Sequence, residues 1–295
     1  MRIVSLLPSA TEMICGIGLR TSLVGVTHEC DFPPDVTALP SVTRSNLPSG
    51  ATSGEIDSLV REQLQSDAAL YQLDRERLIE LRPDLIVTQA LCDVCAVSES
   101  DVNAAVCDLA PATQVINLEP TCLEEVFESI RVVGKAANVP EKANDYVDSL
   151  MDRVRRVKYR SESLAQQPSV ILLEWIDPPF SSGHWNPELV RLAGGHDVLG
   201  RAGQRSETLT WDAILAADPD VLVIACCGFD LRRAREDLPI LESYPGWRQL
   251  RCVRHDSVHW VDGSAYFNRP GPRLVDSLEI LANLLYPNVH PAPKL

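Results

Sequence analysis

The chain has no apolar run of about 20 residues, the length a helix needs to cross a bilayer, so no membrane-embedded segment is expected. Basic residues are scarce as well: 27 Lys and Arg stand against 41 Asp and Glu, a net charge of −14. Such a surface repels phosphate backbones and anionic lipid, which argues against nucleic acid as a partner. Aromatics make up only 5% of the chain, so any place where they gather is informative. Catalytic signatures are missing: there is no G-x-S-x-G elbow, P-loop, H-E-x-x-H or strand-following G-x-G-x-x-G. Gly16-Ile17-Gly18 ends a predicted helix instead of opening one. A non-enzyme is expected. The start, Met1 to Pro8, has one basic residue and a short strand-like stretch stopped by proline, unlike a secretory leader. That beginning leads to the expectation of a cytoplasmic protein.

Cysteine, in contrast, is plentiful. The nine residues are Cys15, Cys30, Cys92, Cys95, Cys107, Cys122, Cys226, Cys227 and Cys252. An odd number at irregular spacing is no disulfide framework, and it suits a reducing compartment. With 295 residues and 45% hydrophobic content, the chain is long and apolar enough for two domains with buried cores.

A repeat organises it. Residues 73–87, Leu-Asp-Arg-Glu-Arg-Leu-Ile-Glu-Leu-Arg-Pro-Asp-Leu-Ile-Val, correspond without a gap to 209–223, Leu-Thr-Trp-Asp-Ala-Ile-Leu-Ala-Ala-Asp-Pro-Asp-Val-Leu-Val, 136 positions further on. Each copy reads as an N-cap (Asp74 or Thr210), two helical turns, a Pro-Asp turn and a buried strand. Strands are also predicted at 2–7, 23–27 and 169–174, with helices ending at Gly16 to Gly18 and at Gly194-Gly195. Alternating strands and helices point to an α/β fold with two Rossmann-like lobes and mainly parallel sheets. Between them, 122–167 holds almost no turn signal except Asn138-Val139-Pro140. Pro140 suits the first turn of a new helix, which predicts one long helix over 141–167. The expected organisation is an N-terminal lobe at 1–121, a helical linker at 122–167 and a C-terminal lobe at 168–295. The ligand would lie in a cleft between the lobes, beyond the carboxyl ends of the strands.

Several segments carry a resemblance. They are Ser5 to Glu12, Val24-Gly25-Val26 leading to Asp31-Phe32-Pro33-Pro34, Glu76-Arg77 with Leu81 to Ile86, Asp177 to Gly183, and Phe267 to Arg273. In this order and spacing the chain resembles the substrate-binding proteins of ABC importers whose two lobes are joined by a long backbone helix (periplasmic-binding-protein family 2). The cobalamin-binding members are the most similar. The resemblance implies a corrinoid such as cobalamin as ligand and a membrane permease as partner. Without a leader, the expected role becomes that of a cytoplasmic carrier, store or sensor that hands its ligand to a permease or a corrinoid-using protein. Departures from the family are the cysteine content and the segment Thr88 to Cys95, which lacks the aromatics that members place against the corrin.

A corrin is large and flat and needs aromatic walls with a few fixed polar groups. Candidate ligand-binding residues in the first lobe are Pro8, Ser9, His28 and Glu29. The second lobe supplies Phe180, Trp185, Phe229, Asp262, Tyr266, Phe267 and Arg269, with Trp175 divided between core and site. Arg269 and Asp262 suit rim amides or a phosphate. His28, directly after a strand, is the candidate axial ligand to a metal centre. A rival reading makes the protein a metalloprotein. Cys92 and Cys95 form a C-x-x-C after the strand at 85–88, Cys226 and Cys227 lie on the repeat-related loop, and Cys30 sits beside His28. Such thiolates could hold an iron–sulfur cluster or zinc. Glu76 and Asp212, related by the repeat, match the acidic residues with which the resembled importers dock on their permeases; they are equally ordinary first-turn acids.

Overall fold

The chain leaves its first strand only three residues before a proline opens the first helix, and this strand-to-helix rhythm recurs throughout. The computed structural model describes residues 1–46, 50–65, 71–89 and 111–294. They form two units. One comprises Met1–Ala51, Glu55–Pro120 and Glu124–Ser149; the other Thr52–Gly54, Thr121–Leu123 and Leu150–Leu295.

In the first unit the strands are β1 (Ile3–Ser5), β2 (Leu23–Gly25), β3 (Thr43–Ser45), β4 (Tyr71–Leu73), β5 (Leu85–Thr88) and β6 (Gln114–Asn117). Four of them make a parallel sheet in the order β2-β1-β5-β6, and β3 pairs antiparallel with β4. The helices are α1 (Pro8–Gly16), α2 (Ser53–Gln65) and α3 (Arg75–Leu81). Val4, Leu6, Val42, Leu78 and Ile86 form a fully buried cluster that Leu73, Leu81 and Val115 cover. Burial of each such side chain contributes about 1.5–3 kcal/mol.

Helix α4 (Leu123–Ala136) turns at Asn138, in the left-handed region at φ 59°, into α5 (Pro140–Ser161). The two helices approach closely because residue 134 is glycine. A Cβ there would stand 2.3 Å from the Ala143 methyl. Helix α5 begins where Pro140 predicts. It stops at Ser161, six residues short of the expected end at Gln167. Leu164 donates back to Ser161 O in a tight turn, and the Ser163 hydroxyl takes Arg160 O. Local side-chain bonds of this kind compete with the helical ladder. The boundary between the units falls inside α5, between Ser149 and Leu150.

The second unit has β7 (Ser169–Ile176), β8 (Pro179–Ser181), β9 (His196–Asp197), β10 (Val221–Ile224) and β11 (Val258–Trp260). The order is β11-β10-β7-β8, with β9 also on β7; only β8 runs antiparallel. Its helices are α6 (Asn186–Leu192), α7 (Trp211–Ala217), α8 (Leu231–Glu236), α9 (Leu238–Ser243), α10 (Arg251–Arg254) and α11 (Leu274–Leu285). Arg153, on the second half of α5, ion-pairs with Asp276 at 2.5 Å and Glu279 at 2.7 Å of α11.

The 136-residue repeat holds at every boundary. Asp74 caps α3 by accepting from Arg77 N, and Thr210 caps α7 by accepting from Ala213 N. Both helices end on a non-glycine left-handed residue, Arg82 at φ 44° and Asp218 at φ 38°. Strands β5 and β10 follow, each in the interior of its own sheet.

Candidate functional site

In the first unit the carboxyl ends of β1, β2 and β5 gather the polar residues. Pro8 and Ser9, expected on an open loop with the residues through Glu12, instead form the buried first turn of α1. Proline's fixed φ and missing N–H suit that position, so the loop is only Leu6 and Leu7. His28 leaves the end of β2 exposed. Its backbone N–H donates to Thr43 Oγ1 at 3.1 Å, and its Nδ1 lies 2.7 Å from the same oxygen. Its ring meets that of Tyr71 at 5.2 Å, and the Tyr71 hydroxyl donates to Glu29 Oε1 at 3.0 Å. Partial burial lowers the His28 pKa, with the Glu29 charge opposing it. A neutral imidazole at pH 7 follows, and among the described residues its Nε2 has no hydrogen-bond partner. At the end of β5, Thr88 Oγ1 and Gln89 Oε1 are buried and likewise lack partners among the described residues. Each such group costs about 1–3 kcal/mol, a cost that a bound polar group would remove.

In the second unit, Trp175 from the end of β7 packs on Phe229 beyond β10, with ring centroids 4.9 Å apart. The Arg233 guanidinium lies 4.1 Å from the centre of the Phe229 ring, and that of Arg273 lies 4.2 Å from the centre of Tyr266. These cation–π contacts are worth about 0.5–1 kcal/mol each where solvent reaches them. After β11 the chain makes a single π turn over Gly263–Phe267, capped by Asp262, which accepts from Ala265 N at 2.7 Å. Gly263 makes the turn possible, since a Cβ would stand 2.1 Å from Cys226 O. Asn268 locks it from the other side by donating to Ala225 O and Gly263 O. Burial raises the Asp262 pKa, against the bond from Ala265 and the nearby charges of Arg269 and Arg273. Arg269 itself reaches Ser264 Oγ at 3.3 Å.

The aromatic candidates divide. Phe180 and Tyr266 are half-buried and accessible at this edge, whereas Trp185 and Phe229 are 5% and 7% exposed. Phe267, placed among ligand-binding residues by its motif, is fully buried and belongs to the core. Its backbone oxygen accepts the Trp185 indole N–H at 2.7 Å, so the motif builds the turn rather than a wall. Glu174, on β7, is a half-buried carboxylate accepting from Gly183 N, Asn186 Nδ2 and the Ser206 hydroxyl. Desolvation raises its pKa despite those three donors.

The metal reading gains no geometry. Among the described residues, no three His, Cys, Asp or Glu side chains are placed to hold a metal ion. Cys30 is buried, its Sγ 3.1 Å from Thr11 Oγ1 and 3.3 Å from Thr27 Oγ1. Cys226 is buried, and desolvation holds its thiol far above the ordinary range; Cys227 is exposed. Cys92 and Cys95 lie outside the described residues. Glu76 and Asp212 are exposed first-turn acids of α3 and α7. Tyr71, Thr43 and Arg233 escaped the sequence reading, and Arg273 entered it only as the last residue of a resembling segment. Arg233, one helical turn beyond Phe229, carried a usable spacing signal; the pairing of Tyr71 and Thr43 with His28 had none.

Two α/β units, each gathering polar and aromatic residues at the carboxyl ends of parallel strands, define a ligand-binding protein of the α/β class. A model of the periplasmic binding protein family matches residues 3–264, and the chain belongs to that family. Its members are substrate-binding proteins that work with ABC permeases, not enzymes. An uncharacterized ABC transporter substrate-binding lipoprotein, YvrC of Bacillus subtilis, is 25% identical over 97% of this chain and 80% of its own length. The vitamin B12-binding protein of Vibrio cholerae is 21% identical over 96% and 88%. Among solved structures, the periplasmic heme-binding protein RhuT from Roseiflexus superposes with a TM-score of 0.73 at 20% identity, covering 97% of this chain and 98% of that one. The vitamin B12 binding protein BtuF of Vibrio cholerae gives 0.68 at 20% identity, covering 96% of each. The resemblance drawn from the motifs to cobalamin-binding members is thus borne out as a resemblance.

Proposed function

We propose that the protein binds a corrinoid of the cobalamin class and acts as its cytoplasmic carrier, store or sensor. The observation that carries the reading is the composition of the strand ends. In the second unit Trp175 and Phe229 pack as a buried pair with Arg233 over the Phe229 ring, and Arg273 lies over the half-buried Tyr266. In the first unit His28, after β2, offers an imidazole nitrogen as the candidate axial contact, and Thr88 and Gln89, at the end of β5, hold buried oxygens without partners among the described residues. Aromatic, cationic and imidazole groups of these kinds suit a flat apolar ligand bearing amides and a phosphate. Relatives named for vitamin B12 binding across nearly the whole chain support the same class. The names of structural relatives that bind heme make heme the competing ligand. Cytoplasmic residence is supported by the thiols of Cys15, Cys226, Cys227 and Cys252, which are free.

Calorimetric titration with aquocobalamin, cyanocobalamin and hemin tests the ligand. Saturable binding of either cobalamin in preference to hemin is expected. Preference for hemin would replace corrinoid by heme, and no heat with any of the three would end the reading. Cell fractionation tests the compartment: recovery with a periplasmic or lipid-anchored fraction would overturn the cytoplasmic role.

A further inference from the structure

Aromatic residues are 5% of the chain, yet three of them meet on the second unit apart from the strand-end candidates. Trp211, the first residue of α7, stacks on Tyr244 with ring centroids 4.4 Å apart and planes at 13°. Trp247 meets Trp211 at 6.2 Å, tilted by 34°. Backbone bonds fix the turn that carries Tyr244 and Trp247. Trp247 N donates to Tyr244 O at 3.2 Å, and Gln249 N donates to Gly246 O at 2.8 Å. Gly246 is left-handed at φ 79°, and a Cβ there would stand 3.0 Å from Leu215 Cδ2. The Trp211 indole N–H donates to Pro245 O at 2.7 Å and holds its ring across the turn.

Trp247 is sealed beneath the cluster at 5% exposure, whereas Trp211 and Tyr244 stay partly open to solvent. Tryptophan and tyrosine on a surface concentrate where partner proteins anchor. Beside the stack runs a groove of about 220 Å³, room for one long side chain, lined by Glu242, Tyr244, Gly246, Trp247, Arg248 and Gln249. Three carboxylates stand around the rings. Glu242 lines the groove, Asp212 follows Trp211 in the chain, and the charge of Asp177, after burial, raises the Tyr244 pKa. Glu242 and Asp212 are exposed and have no ion-pair partner among the described residues. Arg248 is the opposing charge in the lining. An aromatic face beside an unpaired carboxylate favours a guanidinium, whose plane stacks on the ring while its fork pairs with the acid. A lysine ammonium, a hydrated point charge, gains less there. The repeat gives Trp211 no counterpart, because Arg75 occupies its position in the first unit.

We propose that the groove beside the Trp211–Tyr244 stack is a docking site for an arginine side chain of a partner protein, with Tyr244 as the stacking face and Glu242 as the paired carboxylate. The site is independent of the ligand at the strand ends. It adds to the neighbouring Asp212 an aromatic anchor that the family resemblance does not supply.

The probes are three blocked tripeptides, an arginine, a lysine or a glutamate between two glycines, titrated into the isotope-labelled full chain. The Trp211 indole N–H resonance, assigned by its loss in Trp211→Phe, reports the site. The arginine peptide is expected to move it saturably and to bind at least about threefold more tightly than the lysine peptide. Tyr244→Leu and the exposed Glu242→Gln should each weaken the arginine peptide by about threefold or more, while Tyr244→Phe, which keeps the ring, should stay within about twofold of wild type. Equal binding of the arginine and lysine peptides, preference for the glutamate peptide, or no saturable shift would overturn the proposal. Movement of the same resonance with protein concentration alone would give the groove to a second copy of this chain and overturn the partner assignment. Cobalamin and hemin titrations of the same variants should match wild type, so a failure of this site and a failure of the ligand reading are read separately.

Discussion

Phe267 and Trp185 show how a motif can be right about importance and wrong about role. Both stand in segments resembling ligand-binding ones, yet their side chains are buried and the Trp185 indole N–H closes on the Phe267 carbonyl. Phe267→Ala should therefore cost about 3–5 kcal/mol of unfolding free energy, read by denaturant titration. A variant of near wild-type stability would return Phe267 to the ligand-facing set. Glu174 gives a residue-level pH prediction. Burial raises its pKa above the ordinary 4.5, so the folded state holds the proton more tightly than the unfolded one. Its contribution is fully present below that value and is lost as pH rises through the raised one. Glu174→Gln should flatten this part of the stability–pH curve; an unchanged slope would show that the three hydrogen bonds fully offset desolvation. His290 runs the other way. It is buried against Ser161, and burial, with Arg160 nearby, lowers its pKa. Its contribution is present above the ordinary 6.5 and is lost as pH falls through the lowered value. Hydrogen-exchange protection at 286–294, taken relative to the intrinsic rate at each pH, should fall as pH drops through that lowered value, and not in His290→Gln.

At the scale of elements, the equivalent caps make a paired prediction. Asp74→Ala and Thr210→Ala each remove one side-chain acceptor from a helix N-terminus, at 3.0 and 3.3 Å. Each should lower stability by about 1 kcal/mol, and a large inequality between them would show that the two copies differ in local context. Gly134→Ala probes the α4–α5 contact, where two methyl carbons would come within 2.3 Å. Overpacking of that kind should cost about 1–3 kcal/mol, seen as a lower denaturation midpoint. The repeat was legible because N-cap chemistry, helical period and the Pro-Asp turn are all local. The end of α5 was not, because Ser161 and Ser163 make bonds whose competition with the helix depends on the neighbouring chain, including His290.

For the whole molecule, charge and family set the expectations. The net charge of −14 favours partners with basic surfaces. Glu76 and Asp212, both exposed, remain the proposed docking acids. Glu76→Lys and Asp212→Lys should slow association with a permease partner and reduce its salt dependence while leaving ligand affinity unchanged. Unaltered association would reduce both residues to solvated first-turn acids. The division of the chain inside α5 shows why a sequence boundary at the ends of the linker differs from the structural one. Ala143 and Val147 pack with one unit, and Leu150 and Arg153 with the other, within a single helix.

The sequence alone determined what depends on near neighbours and on composition: alternating strands and helices, the doubled cap–helix–turn–strand unit, the helix start at Pro140 and the absence of enzyme signatures. It also held the family resemblance, because ordered short motifs survive where individual residues drift. Only the tertiary structure decided which residues face outward at the strand ends. His28 meets Tyr71 across 43 positions, and Trp185 meets Phe267 across 82. Such distant pairings follow from sheet order and packing, which no local pattern encodes. For that reason the aromatic motif read from sequence became partly core.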